Sequence, residues 1–194
     1  MTFRKIAALA LAAGSIGAVA HAQTSTWTID PNHSSSTFVV RHMLVSNVHG
    51  FITGVKGTIV YDEKDITKST VTATLDLSTI NTAVDARDKD LKSPAYFGLD
   101  KPENNVMAFK STSITKSGGK TWMKGDLTTV TKPVTLELTG PIGSNKNGKG
   151  VPITGFTATG VVKRLDYGIG PKAPLSTIGD EIAITIDIEA DKQS

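Results

Sequence analysis

Three histidines fall close together, His33, His42 and His49. Neutral imidazole is a common metal ligand, so such a group invites a metal site. The separations are nine and seven residues. Both are odd, and odd separations on an extended strand put side chains on opposite faces. No nearby cluster of Asp or Glu completes a coordination sphere. The expectation is therefore three ordinary hydrogen-bonded histidines and no metal. His33-Ser34 pairs a base with a nucleophile in sequence, yet adjacent strand residues point apart, and no nucleophile-elbow sequence surrounds the serine. No catalytic residue is assigned. The chain has no cysteine, which excludes disulfides, thiol catalysis and cysteine-ligated zinc or iron–sulfur sites.

Arginines offer different chemistry. A guanidinium fork matches phosphate or carbonyl acceptors. Arg87 sits in Thr82 to Lys92, the one segment rich in helix formers. Thr82 is a fitting N-cap there, with Asp85 three residues later. Asp85/Lys89 and Asp88/Lys92 are i,i+4 pairs with the acid first, and Pro94 ends the helix before Tyr96-Phe97. Arg87 shares a helical face with Leu91, while Asp88 turns partly away. Arg87 either fixes this segment to a strand or meets the polar head of a ligand. His42 and Arg164, with Arg41, are further head-group candidates.

The elements around these residues are strands. The dominant period is two. Val71, Ala73, Leu75 and Leu77 alternate with polar residues, and so do Leu136 and Leu138 after Val134. Ile182, Ile184, Ile186 and Ile188 repeat the pattern near the C-terminus. Weaker alternation joins Phe38 to Val40, Ile59 to Tyr61, Met107 to Phe109 and Phe156 to Ala158. Turn signals separate these segments at 62–65, Ser117-Gly118-Gly119, 144–150 and Gly179-Asp180. About eight strands fit, spaced as in an antiparallel meander. A closed barrel of that size is filled by side chains or holds one small ligand. An outer-membrane barrel has the same alternation. The polar C-terminus, Glu189 to Ser194, and mid-strand charges such as Glu137 and Asp76 favour the form whose dry face points inward. The lumen is then lined by the apolar residues named above other than Val134 and Ile188, with Phe97 at the foot of the helix, and slim residues such as Ala73 and Ala158 leave room for an elongated apolar ligand. Each buried CH₂ of such a guest gains about 0.8 kcal/mol. A core filled by the protein's own side chains is the alternative.

The chain of 194 residues is 39% apolar and 20% charged, which suits one folded domain. Arg4 and Lys5 precede an apolar, Ala-rich stretch and the small-x-small pattern Ala20-His21-Ala22. The expectation is a signal peptide over 1–22, cut between Ala22 and Gln23, and one domain over 23–194. The stretch is too short for an integral membrane span. The mature protein is expected in the periplasm or medium, away from ATP, and no Gly-rich phosphate loop is present. The 21 basic residues include Arg4 and Lys5; without these two, 19 remain against 18 acidic ones, a net charge of +1. Such a body is a poor match for nucleic acid.

An ordered set of short motifs runs along the chain. Trp27-x-Ile29-Asp30-x-x-His33-Ser34 leads to Phe38 and His42. Ile59-x-Tyr61-Asp62 follows, then Ile80-Asn81-Thr82, then Arg87-Asp88-x-x-Leu91-x-Ser93 and Tyr96-Phe97. Gly125-Asp126-Leu127-Thr128, Val130-Thr131-Lys132-Pro133-Val134 and Arg164-x-Asp166-Tyr167-Gly168 complete it. This order resembles the YceI-like, polyisoprenoid-binding family from Trp27 to Glu189. The chain departs from the family pattern at Lys101-Pro102-Glu103-Asn104-Asn105 and between Leu127 and Val130, both at strand ends. The resemblance implies an all-β, eight-stranded antiparallel lipocalin-like barrel with a short helical insertion. It also implies a non-enzymatic carrier whose lumen holds an amphiphilic lipid, a polyprenyl lipid or isoprenoid quinone, with no other cofactor. A homodimer is compatible with this reading. Two other readings stay open: a scavenger of miscellaneous hydrophobic compounds, and an envelope hydrolase or metal-dependent enzyme.

Overall fold

The computed structural model describes residues 24–127 and 132–194; the expected signal peptide and cleavage point, and most of the turn between Leu127 and Val130, lie outside them. Ten strand segments form one sheet: β1 (Thr24–Ile29), β2 (Ser35–His42), β3 (Ser46–Thr53), β4 (Lys56–Asp62), β5 (Thr70–Asp76), β6 (Val106–Ser117), β7 (Lys120–Leu127), β8 (Lys132–Lys146), β9 (Pro152–Lys163) and β10 (Ile178–Lys192). Every pairing is antiparallel. The long strand β10 pairs with β2 through its first half and with β1 through its end. β2 pairs with β3, and β1 with β4, with a register shift of two residues between the two pairings. Thus β1 and β2 are one interrupted stave, as are β3 and β4. The sheet closes on itself as an eight-stave barrel, which leaves no continuous open edge.

Alternation and turn chemistry explain most of this. Gly118 and Gly119 have φ of 59° and 75°. Such values suit the two-residue turn between β6 and β7, where Ser117 faces Lys120. The interruption between β1 and β2 is an Asx turn, in which Asp30 Oδ1 accepts from the Asn32 amide at 2.9 Å. Gly179-Asp180 lies inside β10, not at a turn as expected. The register is irregular there, between Ile178 and Ile182, so a bulge absorbs the turn-forming residues.

Among the described residues one α-helix, α1 (Asp85–Lys92), lies in the long connection from β5 to β6. Thr82 is not its N-cap. Val84 holds that position without a side-chain bond, while Thr82 faces Asp88 and Arg87. Among the described residues no ion pair joins Asp85 to Lys89 or Asp88 to Lys92; Asp88 is buried and turned toward Thr82. This connection covers the edge of β3: Phe51 and Asn81 exchange backbone hydrogen bonds at 2.9 and 3.0 Å. Among the described residues no helix is long and apolar enough to cross a membrane.

The strand directions give the barrel two ends. One end carries the β2–β3 turn, the α1 connection and the loop from Arg164 to Thr177. The other carries the β4–β5, β6–β7 and β8–β9 turns. Buried apolar side chains form two clusters on facing walls. One gathers around Ile29, Ile59 and Leu75, the other around Phe109, Leu136 and Ala158, and both are packed by Val71, Met107 and Leu138.

Candidate functional site

Between the two clusters is a cavity of about 250 Å³ with an overwhelmingly apolar lining. All eighteen side chains expected in the lumen, seventeen from the alternation and Phe97 at the foot of the helix, lie on its wall, from Phe38 on β2 to Ile186 on β10. An apolar cavity of ~150 Å³ already accepts a benzene ring. The space inside the barrel is thus an unfilled hollow, and the self-filled alternative does not hold. Close approach helps to keep it open. Phe38 lies across its register partner Gly50, where a Cβ would collide with the ring. Glycine there lets the ring lie against the wall. Tyr61 and Phe156 meet edge to face at 5.8 Å.

The wall has further residues. Ile188 and Val134 are the next members of alternations already read, and Val48 and Ile52 share a face of β3 with Gly50. Ile66, Tyr96, Tyr167 and Ile169 also line it. These last sit in irregular segments, where no period reveals which way a side chain points.

Polar groups on the wall are few and uneven. The exposed wall residues, Arg41, His42 and Asp90, all lie at the end with the α1 connection. That is the end at which water reaches residues of the wall.

The proposed head-group residues differ sharply. Arg164 is 1% exposed. Its Nε donates to Gly179 O at 3.1 Å, and Nη1 to Ile169 O and Gly170 O at 3.1 and 2.5 Å. Its Nη2 donates to Ala173 O and Ile178 O at 2.7 and 3.0 Å. An arginine has five N–H donors, and all five are engaged by backbone carbonyls. The head-group assignment of Arg164 is therefore corrected: it is a clamp that ties the loop after β9 to the start of β10.

Arg87 is only partly engaged. Nε donates to Thr82 Oγ1 and Nη2 to Thr82 O, both at 2.8 Å. Asp88 Oδ1 accepts from the Thr82 amide at 2.8 Å and from its hydroxyl at 2.5 Å. Arg87 lies on the cavity wall beside Leu91, and Nη1 has no hydrogen-bond partner among the described residues. A guanidinium so held is pre-oriented for an acceptor entering the hollow. His42 ends β2 and is exposed, next to Arg41.

The histidines do not converge, but His33 has company that the sequence hid. Its Nδ1 is 2.7 Å from Asp30 Oδ2 and 3.5 Å from Glu189 Oε1. β10 pairs beside β1 and brings Glu189 across 156 positions. The expectation that no cluster of Asp or Glu lies near the histidines is corrected: exposed His33 and partly exposed Asp30 and Glu189 bring ligand atoms within 4.8 Å of one another. Hydrogen bonding to Asp30 raises the His33 pKa above its ordinary 6.5. The Asn32 amide, and then His33, lower that of Asp30. The group is outside the barrel and is not among the residues of the cavity wall.

The model of the YceI-like domain matches residues 27–190. The chain belongs to the YceI-like family. A UPF0312 protein of Staphylococcus aureus (strain MSSA476) is 35% identical over 170 residues, spanning 86% of this chain and 95% of that protein. A Campylobacter jejuni YceI protein, solved as crystals with large solvent channels, is 26% identical, with a TM-score of 0.68 over 79% of this chain and 90% of that one. A polyisoprenoid-binding domain from Saccharophagus degradans, implicated in plant cell wall breakdown, shares the fold. Its identity is 11% and its TM-score 0.61, over 86% of this YceI-like chain and 98% of that domain. The all-β, eight-stranded antiparallel barrel with one helix is thus the family's architecture.

Proposed function

We propose that this YceI-like protein is a non-enzymatic carrier or store for an amphiphile with an isoprenoid tail, a polyprenyl lipid or isoprenoid quinone. It acts outside the cytoplasm, in the periplasm or medium, after removal of residues 1–22. One observation carries the reading: an apolar hollow of about 250 Å³ whose exposed polar wall groups all lie at one end. A tail in the hollow gains about 0.8 kcal/mol per CH₂. A head at the α1 end meets Nη1 of Arg87, with Arg41 and His42 nearby. The ligand named for the S. degradans domain supports an isoprenoid over other tails.

Mass spectrometry of an organic extract of the purified protein tests this. A prenyl lipid or quinone in near-stoichiometric amount supports it. A ligand-free protein that takes up neither compound overturns it.

A second reading, a broad scavenger of hydrophobic compounds, draws on the same lining, which is mostly aliphatic and has few polar groups to select a ligand. Competition between a fluorescent fatty probe and a prenyl lipid separates the two: equal affinity favours the scavenger.

A further inference from the structure

The turn between β2 and β3 is Met43-Leu44-Val45, and these side chains are 54%, 67% and 81% exposed. Consecutive large apolar side chains in water need a reason. The backbone adds to the cost. Met43 and Leu44 have φ of 50° and 62°, a left-handed conformation that is uncommon for such residues and is usually left to glycine or asparagine. The tip is also held in place. The Met43 amide donates to Thr177 O at 2.9 Å, and the Val45 amide to His42 O at 3.1 Å. Leu175, 52% exposed, sits in the loop so joined to it.

Two further facts indicate what covers this tip. The chain has no acidic residue between Asp30 and Asp62, so the β2–β3 hairpin carries Arg41 as its charge, with His42 and His49. Arg41 and His42 stand directly behind the tip, on the wall of the hollow at the end where its residues are exposed. Apolar side chains leading and a cation one step behind form the arrangement that seats in a bilayer interface, with the arginine at phosphate level. A stable protein partner needs about 800 Å² per side, which a three-residue tip does not offer. A lipid surface sets no such requirement.

We propose that Met43, Leu44 and Val45 dock this end of the barrel on an anionic lipid bilayer, with Arg41 contacting lipid phosphates. The inference goes beyond the carrier reading, since docking needs no particular ligand. It places this end of the hollow against the acyl layer.

The test is flotation of the chain from Gln23, whose barrel closes within residues 24–192. Vesicles of equal parts phosphatidylcholine and phosphatidylglycerol are compared with phosphatidylcholine alone. The protein is expected to float with the mixed vesicles. L44D and V45D should each lower partitioning by about tenfold or more, and R41Q by about fivefold on mixed vesicles only. Thermal midpoints should be unchanged, because all three residues are exposed. No flotation of the unsubstituted protein overturns the proposal. So does flotation indifferent to L44D and V45D, or a change of oligomeric state in those variants that accounts for their loss. Loss of flotation together with retained ligand uptake in solution supports docking and leaves the carrier reading intact.

Discussion

Arg87 meets Thr82 twice, through Nε to the hydroxyl and through Nη2 to the carbonyl, each at 2.8 Å. The threonine is fixed in turn by the buried Asp88, so one short segment aims a guanidinium along the cavity wall. Arg87→Met removes the aimed donor and keeps much of the apolar stem. It should weaken binding of a prenyl lipid with a polar head by about tenfold, the scale of one charge-assisted hydrogen bond. Binding of a headless hydrocarbon of similar length should be nearly unchanged. Calorimetric titration with both ligands checks this, and equal losses for the two would contradict it.

Arg164 behaves differently because its donors face the protein alone. Arg164→Lys offers three donors where five are used. At least two carbonyls lose their partners, and stability should fall by about 2–5 kcal/mol. Urea unfolding measures this. A loss below about 1 kcal/mol would show that the clamp is dispensable.

The phase of the strands is testable at neighbouring positions. Leu75 is 7% exposed and lines the hollow; Thr74 faces outward. Leu75→Asp buries an unpaired charge and should cost about 3 kcal/mol or more, with loss of ligand. Thr74→Asp should change both by little. Ligand uptake and thermal melting of the two variants decide it, and equal tolerance would reverse the assignment of the faces.

The strands and the wall were readable because burial on one face of a sheet writes a period of two into the chain. Val71, Ala73, Leu75 and Leu77 announce their side by position alone. The interruption at Asp30–Ser34 and the bulge at Ile178–Ile182 were not readable, since both depend on how two segments share one long partner strand. The partners of charged residues were hidden for a related reason. Nothing local ties Glu189 to His33, or the carbonyls of Gly170 and Ala173 to Arg164. Thr82 shows the same limit in miniature: its spacing to Asp85 matches a capping box, and the buried carboxylate of Asp88 won the competition for its hydroxyl.

The His33–Asp30–Glu189 group has a pH signature. The folded pKa of His33 lies above its ordinary 6.5. Its contribution to stability is complete below that value and is lost as pH rises through the raised one. The folded pKa of Asp30 lies below its ordinary 3.8. Its contribution is present above that value and is lost as pH falls through the lowered one. The attraction therefore operates from the carboxylate range up to the raised histidine value. NMR titration of the His33 ring should give a pKa above 6.5 that moves down in Asp30→Asn. A wild-type value at or below 6.5 would contradict the pairing.

A guest that occupies the space enclosed by the barrel must be displaced when that space is filled, and titration with an isoprenoid quinone before and after filling measures this. Ala73→Phe adds a ring to the wall beside Leu75 while leaving the outer face unchanged. The unsubstituted protein should bind one quinone per chain. The variant should keep its circular dichroism and melting transition and lose binding by about tenfold or more. Binding of equal strength in both proteins, or in neither, would show that the hollow is not the binding site.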